Sequence, residues 1–328
     1  MAILEVQDLV VDFHTAAGVV QAVRGISFSM EQGQTLAIVG ESGSGKSVTS
    51  RAIMGILTEN ATVRQGQVLF DGQDLLKLTQ RQLCPIRGNR IAMVFQDPLS
   101  SLDPVMRTGE QIAEGIRLNL GLSPRAARKK ALALLAEVGI QDPERCYRQF
   151  PHQLSGGMRQ RIVIAIALAA DPEILICDEP TTALDVTIQA QILELLGRLK
   201  QQRKLSILFI THDFGVVANV ADRIGVMYAG KLVEYGTSQE IFYDPRHPYT
   251  KALLAAMPDL ATQGRLQVIE GSPPDMTAPP SGDAFALRDP EAMVIELQRQ
   301  PPAFFITQTH WAATWRLHPD ANKPAGRE

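Results

Sequence analysis

Between Ile3 and Phe28 apolar and polar positions alternate: Ile3, Val6, Leu9, Val11 and Phe13, then Val23, Ile26 and Phe28, with Gly18 and Gly25 as breaks. A period of two predicts antiparallel strands with one buried face. The pattern then changes to short, wholly apolar runs, beginning at Leu36, Ile91, Ile174 and Ile207, which predict buried strands. GQVLF at 66–70, followed by Asp71-Gly72, predicts a further strand ending in a turn. Among the runs, apolar residues recur at helical spacing: Val48, Ala52, Ile53, Ile56 and Leu57; Ala131, Leu132, Leu135 and Val138; Ile162, Val163, Ile166, Ala167 and Ala170. Residues 108–170 read as mostly helical, with Ser123-Pro124 as a start and Gly139 as a stop, and another helix is predicted from Ile188 to Leu199. Buried strands among amphipathic helices make this an α/β chain.

The buried runs end in chemistry. After Leu36–Val39, the residues Gly40, Gly45, Lys46 and Ser47 fit G-x-x-x-x-G-K-[ST], with Ser42, Gly43 and Ser44 between them and Val48 opening the helix. Glycines let the backbone turn tightly enough for several N–H groups to face one anion, Lys46 supplies a point charge, and Ser47 offers a hydroxyl to Mg²⁺. The following helix aims its positive end at the phosphates. The run from Ile91 ends at Gln96, whose carbonyl could reach Mg²⁺ or an attacking water, or simply cap a strand. ILIC at 174–177 ends in Asp178 and Glu179: two adjacent acids after an apolar run require a positive neighbour, and they suit a metal-shell carboxylate and a general base. ILFIT at 207–211 delivers His212. At 154–161, LSGGMRQR puts Ser155, Gly156 and Gly157 before an apolar helix, a second helix start with N–H groups suited to phosphate. Leu184 and Asp185, after Ala183, make a tight link into the next helix. Phe13 is either core or a ring for a base.

Composition narrows the classes. The 328 residues, 45% of them hydrophobic, suffice for one large domain with an appendage or for two domains. A net charge of -3 argues against nucleic-acid binding through bulk positive charge. Arg125, Arg128, Lys129 and Lys130 crowd the start of one helix with no interleaved aromatics and read as a solvated face. Cys84, Cys146 and Cys177 form no CxxC, which suits a reducing compartment. The start of the chain lacks a signal-peptide pattern, and the strongest apolar stretch, Ile162 to Ala170, falls far short of the ~20 residues that span a bilayer.

Over residues 1–258 these motifs, in this order, resemble the ATP-binding subunits of ABC transporters. In that resemblance GESGSGKS is the Walker A loop, Gln96 the Q-loop glutamine, LSGGMRQR the signature, Asp178 and Glu179 the Walker B aspartate and catalytic glutamate, Ala183-Leu184-Asp185 the D-loop and His212 the switch histidine, with Phe13 stacking on adenine. ESGSGKSVTSRAIMG, VFQDPLSSLDP, DEPTTALDVTIQAQIL and RHPYTKALLAAMP resemble the dipeptide, oligopeptide and nickel importer branch more closely. The resemblance implies a RecA-like P-loop core with an antiparallel β subdomain and a helical subdomain at about 97–170. It implies ATP and Mg²⁺, a head-to-tail dimer with an identical or different ATPase in which one signature caps the other chain's phosphates, two integral membrane permeases, and an extracytoplasmic solute-binding protein, with no nucleic acid. The place implied is the cytoplasmic face of a bacterial inner membrane. The function implied is the ATP-hydrolysing motor of an importer for di- or oligopeptides. The alternatives are an importer for nickel or another small solute, a soluble ABC ATPase working on ribosomes or DNA, for which neither a second nucleotide module nor a coiled-coil insertion is visible, and a weakly hydrolysing regulatory subunit, against which every catalytic position is filled.

From 259 to 328 the composition shifts: nine of the 20 prolines and both tryptophans, Trp311 and Trp315, lie there, which predicts an irregular, partly packed appendage. In the importer branch this tail often carries four cysteines holding an iron–sulfur cluster. Asp283, Asp289, Glu296 and Thr314 stand in those slots, so no cluster is expected; the three acids read as solvated surface carboxylates, with a divalent-cation site as the alternative.

Overall fold

A hairpin opens the chain: β1 (Ala2–Thr15) and β2 (Gly18–Glu31); β2 alternates buried and exposed residues from Gly25 to Glu31, whereas β1 departs from the predicted period of two, with Leu9, Val10, Val11 and Asp12 all buried. Then come β3 (Thr35–Val39), α1 (Lys46–Met54), β4 (Ala61–Phe70), β5 (Gln73–Asp74), α2 (Gln80–Leu83) and β6 (Ile91–Val94). A helical stretch follows: α3 (Thr108–Leu120), α4 (Pro124–Glu137), α5 (Pro143–Arg148) and α6 (Gly156–Ala167). Next are β7 (Ile174–Asp178), α7 (Val186–Arg203), β8 (Ser206–Thr211), α8 (Phe214–Val217), β9 (Arg223–Tyr228), β10 (Lys231–Thr237), α9 (Ser238–Tyr243) and α10 (Pro248–Ala255). The last elements are α11 (Val294–Gln298), β11 (Ala303–Phe305) and β12 (Trp311–Ala313). The computed structural model describes residues 2–182, 184–257 and 269–319. Ala183 and the boundary expected at 258/259 lie outside them.

The chain forms two compact units. One comprises residues 1–3, 30–35 and 70–210. Here β6, β7 and β8 run parallel, with Val94 opposite Cys177 and Asp178 opposite Ile210. All of β6 and β7 are buried, as a parallel sheet covered on both faces requires. Ser123 caps α4 by accepting from the Ala126 N–H, and Gly139 takes a left-handed conformation just beyond its end, as the sequence predicts. The basic start of α4 is less free than expected: Arg128 pairs with Glu144 and Lys130 with Asp171.

The other unit comprises residues 4–29, 36–69 and 211–328. Its β2, β1 and β4 are neighbours in that order in one sheet. In another, β3 runs parallel to β9, and β9, β10, β12 and β11 continue antiparallel. The tail is therefore more ordered than its proline content predicts, since β11 and β12 extend this sheet with Trp311 opposite Tyr235. Helix α1 stops sooner than its apolar pattern suggests: Gly55 adopts a left-handed conformation and leaves Ile56 and Leu57 outside.

Candidate active site

The loop from Gly40 to Gly45 joins β3 to α1, and its shape is imposed by close backbone neighbours. A Cβ on Gly40 would lie 2.0 Å from the Met227 carbonyl oxygen, and one on Gly45, at φ +103°, would lie 2.4 Å from that of Ala22. Only glycine fits either place. Gly230 N–H donates to the Ser44 carbonyl at 3.0 Å, which ties the loop to the β9–β10 turn. Lys46 is buried to 4% exposure, and its Nζ donates to the carbonyls of Gly40 and Glu41, both at 2.8 Å. The loop thus carries an ammonium group within its own turn, with the N-terminus of α1 opening directly from it. Ser42, Gly43, Ser47 and Val48 complete this stretch, and Phe13 lies on β1 of the same unit, half-buried.

The carboxylates belong to the other unit. Asp178, 2% exposed, ends β7, and Glu179 follows at φ +48°, a left-handed conformation that a glutamate rarely takes. Its N–H donates to the Ile210 carbonyl at 2.8 Å, holding the turn at the end of the parallel strands. Gln96 Nε2 donates to Glu179 Oε2 at 3.0 Å, and Thr182 Oγ1 donates to the same oxygen at 2.9 Å. Two residues predicted separately are therefore brought into direct contact, and Thr182 joins them unannounced by any motif. The Gln96 amide, by giving its NH₂ to the carboxylate, keeps its carbonyl oxygen as an acceptor for a cation or water. Burial pushes the neighbouring Cys177 thiol up, with the Asp178 charge adding to it, so it stays a neutral core group beside these acids.

In the same unit Ser155 caps α6, accepting from the Met158 N–H at 3.3 Å, and Asp185 caps α7, accepting from the Ile188 N–H at 2.9 Å. A Cβ on Gly157 would meet Ile188 Cγ2 at 2.7 Å, and one on Gly156 would meet Leu184 Cδ2 at 3.5 Å. The two motifs are thus packed on each other, and Gly157 serves that approach as well as any ligand. His212 follows β8 directly and belongs to the unit of the phosphate loop.

A model of the ABC transporter family matches residues 23–182. A second, for the oligopeptide/dipeptide transporter C-terminal region, matches 233–295. The chain is 56% identical to the oligopeptide transport ATP-binding protein OppD of Bacillus subtilis, over 98% of this chain and 90% of that protein. It is also 56% identical to the dipeptide transport ATP-binding protein DppD of Lactococcus lactis, over 98% and 93%. The chain belongs to the ABC transporter ATPases. Within that family it carries the oligopeptide/dipeptide C-terminal region. Among solved structures, the ABC cassette MJ0796, in a dimeric post-hydrolysis state bound to ADP and Pi, matches with a TM-score of 0.65 at 27% identity, over 72% of this chain and 98% of that one. CbiO1 of Clostridium perfringens, part of an ABC transporter complex, matches with a TM-score of 0.64 at 30% identity, over 74% and 91%. The fold of this ABC ATPase is accordingly the P-loop α/β core with its antiparallel β and helical subdomains, it binds and hydrolyses ATP, and it acts as a transporter subunit. Among its described residues no helix is long and apolar enough to cross a membrane.

One expectation for the tail is corrected. Asp283, Asp289 and Glu296 are not solvated surface acids: Asp283 and Glu296 are 5% and 1% exposed, and the Asp289 side chain is 8% exposed. Each is buried because it has a partner. Asp283 lies 3.3 Å from His247 Nε2, Asp289 pairs with Arg316, and Glu296 accepts from the Met293 N–H at 2.8 Å with Arg316 Nε 3.8 Å away. Thr314 accepts from the Arg316 N–H. Two of the four slots, Asp289 and Glu296, thus face one guanidinium, and a third, Thr314, meets the backbone of the same arginine. Sequence reasoning also missed Glu234, fully buried, which accepts from the backbone N–H groups of Arg246 and His247 and lies 2.8 Å from His310 Nε2. Only its place among Leu232, Val233 and Tyr235 hinted at it.

Proposed function

We propose that this ABC ATPase is the motor of an importer for di- or oligopeptides, working as a head-to-tail dimer with a second, identical or different, ATPase on the cytoplasmic side of two membrane permeases fed by an extracytoplasmic binding protein. The observation that carries the peptide assignment is near-full-length similarity, through the tail, to oligopeptide and dipeptide transport ATP-binding proteins. The ADP-bound dimer of MJ0796 supports the dimeric reading.

In this reading Gly40, Ser42, Gly43, Ser44, Gly45, Lys46, Ser47 and Val48 cradle the triphosphate, and Phe13 stacks on adenine. Ser155, Gly156, Gly157 and Asp185 meet the nucleotide held by the other chain. Glu179 accepts the proton of the attacking water, with Gln96 and Thr182 fixing its carboxylate and His212 serving the phosphoryl group. By the family resemblance Ser47, Gln96 and Asp178 would hold Mg²⁺: each offers a hard oxygen, the donor class that suits the ion, which would neutralise charge on the outer phosphates. Residues 1–258 form the nucleotide-binding domain, with the helical subdomain at about 97–170, and 259–328 the appendage. The oxygen donors of Asp283, Asp289, Glu296 and Thr314 do not fit an iron–sulfur cluster, which needs thiolates. A visible-region absorption band in the pure protein would contradict this.

The test is purification from membranes followed by reconstitution with the permeases that accompany the chain. Peptide, delivered with the binding protein, is expected to stimulate ATP hydrolysis. Stimulation by nickel or by RNA instead would overturn the assignment.

A further inference from the structure

Glu41 is the first variable residue of the phosphate loop, and all three of its polar groups are held. Its N–H donates to the Tyr249 hydroxyl at 2.8 Å, and its carbonyl accepts from Lys46 Nζ at 2.8 Å. Its carboxylate takes a two-pronged pair from Arg288, Nη1 to Oε2 at 2.7 Å and Nη2 to Oε1 at 3.1 Å. Two of these three holds come from beyond residue 248, far along the chain from the loop.

Arg288 is placed for this. Its guanidinium lies 5.8 Å from the centroid of the Tyr228 ring and 5.9 Å from that of Phe285, while Nε donates to the Glu270 carbonyl at 2.8 Å and Nη1 to the Tyr228 hydroxyl at 3.2 Å. Tyr228, Tyr249 and Phe285 pack as a cluster, with ring centroids 4.5 to 5.5 Å apart. The fork is therefore fixed before nucleotide arrives, and its side chain is only 6% exposed. Burial works against the charge, but the bonds to Glu41 and Tyr228 outweigh it and hold the guanidinium above its ordinary pKa.

A glutamate in a phosphate-binding loop poses an electrostatic problem. Its backbone touches the Lys46 ammonium, so its carboxylate lies within a Debye length of any phosphate that Lys46 receives. Unpaired, it would repel a triphosphate and compete for Lys46. We propose that Arg288 is a positioning residue of the nucleotide site: it cancels the charge of Glu41 and fixes the first turn of the loop, so that the C-terminal region sets the affinity for ATP. The proposal rests on residues 40–47 being the triphosphate cradle.

The test measures ATP, ADP and AMP binding, with KM and kcat, on full-length Arg288→Ala, Arg288→Lys and the double variant Arg288→Ala/Glu41→Gln. Arg288→Ala should weaken ATP binding by about tenfold, the size expected of one uncancelled charge a few ångströms from the phosphates at intermediate dielectric. The loss should shrink from ATP to ADP to AMP and appear mainly in KM. Arg288→Lys, which keeps the charge and guards against a variant that fails to fold, should retain most of the affinity. Adding Glu41→Gln to Arg288→Ala should recover it, because no charge is left to cancel. Unchanged ATP affinity in Arg288→Ala overturns the proposal, as does a loss that is equal for all three nucleotides or unrelieved by Glu41→Gln. Lys46→Ala in the same assay separates the premise: unchanged ATP affinity there refutes the cradle itself, whereas a loss there beside an unaffected Arg288→Ala refutes only the role of Arg288.

Discussion

Lys46 shows how a single side chain can be read from both ends of the argument. A buried ammonium is costly unless its donors are used, and here two loop carbonyls take them. Those carbonyls are weak partners beside a phosphate, so the charge is poised to exchange them for a better acceptor. Lys46→Ala is expected to weaken ATP binding by tenfold or more, since charge-assisted bonds contribute about 1.5–3 kcal/mol each; an equilibrium titration with ATP checks this. The placement of Lys46, Gln96, Asp178 and Glu179 at or beyond the ends of buried strands was legible in the sequence, because each stands at a fixed place in a motif. The partners that hold them were not. Thr182 meets Glu179 only because the backbone turns through a left-handed conformation, and Arg288 meets Glu41 across 247 positions with no local pattern to announce it.

At the scale of elements, the apolar runs gave the strands of the parallel core and the capping residues gave the starts of α4 and α6, because both signals are local. The tail failed that test. Its β11 and β12 have three residues each, with Pro301 and Pro302 just before β11, too short for periodicity to register. What fixes this region to the sheet is partly a network around α9. Glu240 accepts from the Thr237 N–H in a capping box and from the hydroxyls of Thr307 and Thr309, in the loop between β11 and β12. Burial pushes its pKa up, but these hydrogen bonds outweigh burial and bring it down to about 2. A carboxylate with a depressed folded pKa contributes stability above its unfolded value, and that contribution is lost as pH falls through the folded one. Glu240→Gln is therefore expected to melt below the wild type at neutral pH, and the gap should close between about pH 4.5 and 2. Melting curves across that range decide it; a gap independent of pH would remove the carboxylate's charge from the explanation.

For the molecule as a whole, the division of labour follows the two units. The phosphate loop, His212 and the clamp on Glu41 belong to one; Gln96, Glu179, the signature and Asp185 belong to the other. In the proposed reading the triphosphate cradle and the general base Glu179 thus lie on different parts of the chain, and ATP binding should separate from turnover when Glu179 alone is changed. The overall class was legible because the strand-end motifs come in a fixed order, whereas the buried charges of the tail were not, since burial depends on partners that only folding brings together. The most direct measurement is ATP binding and ATP hydrolysis side by side on Glu179→Gln. The account predicts turnover lowered by about 10²–10⁴, the range for a lost general base, with ATP still bound as tightly as in the wild type. Undiminished turnover, or a variant that no longer binds ATP, would contradict it.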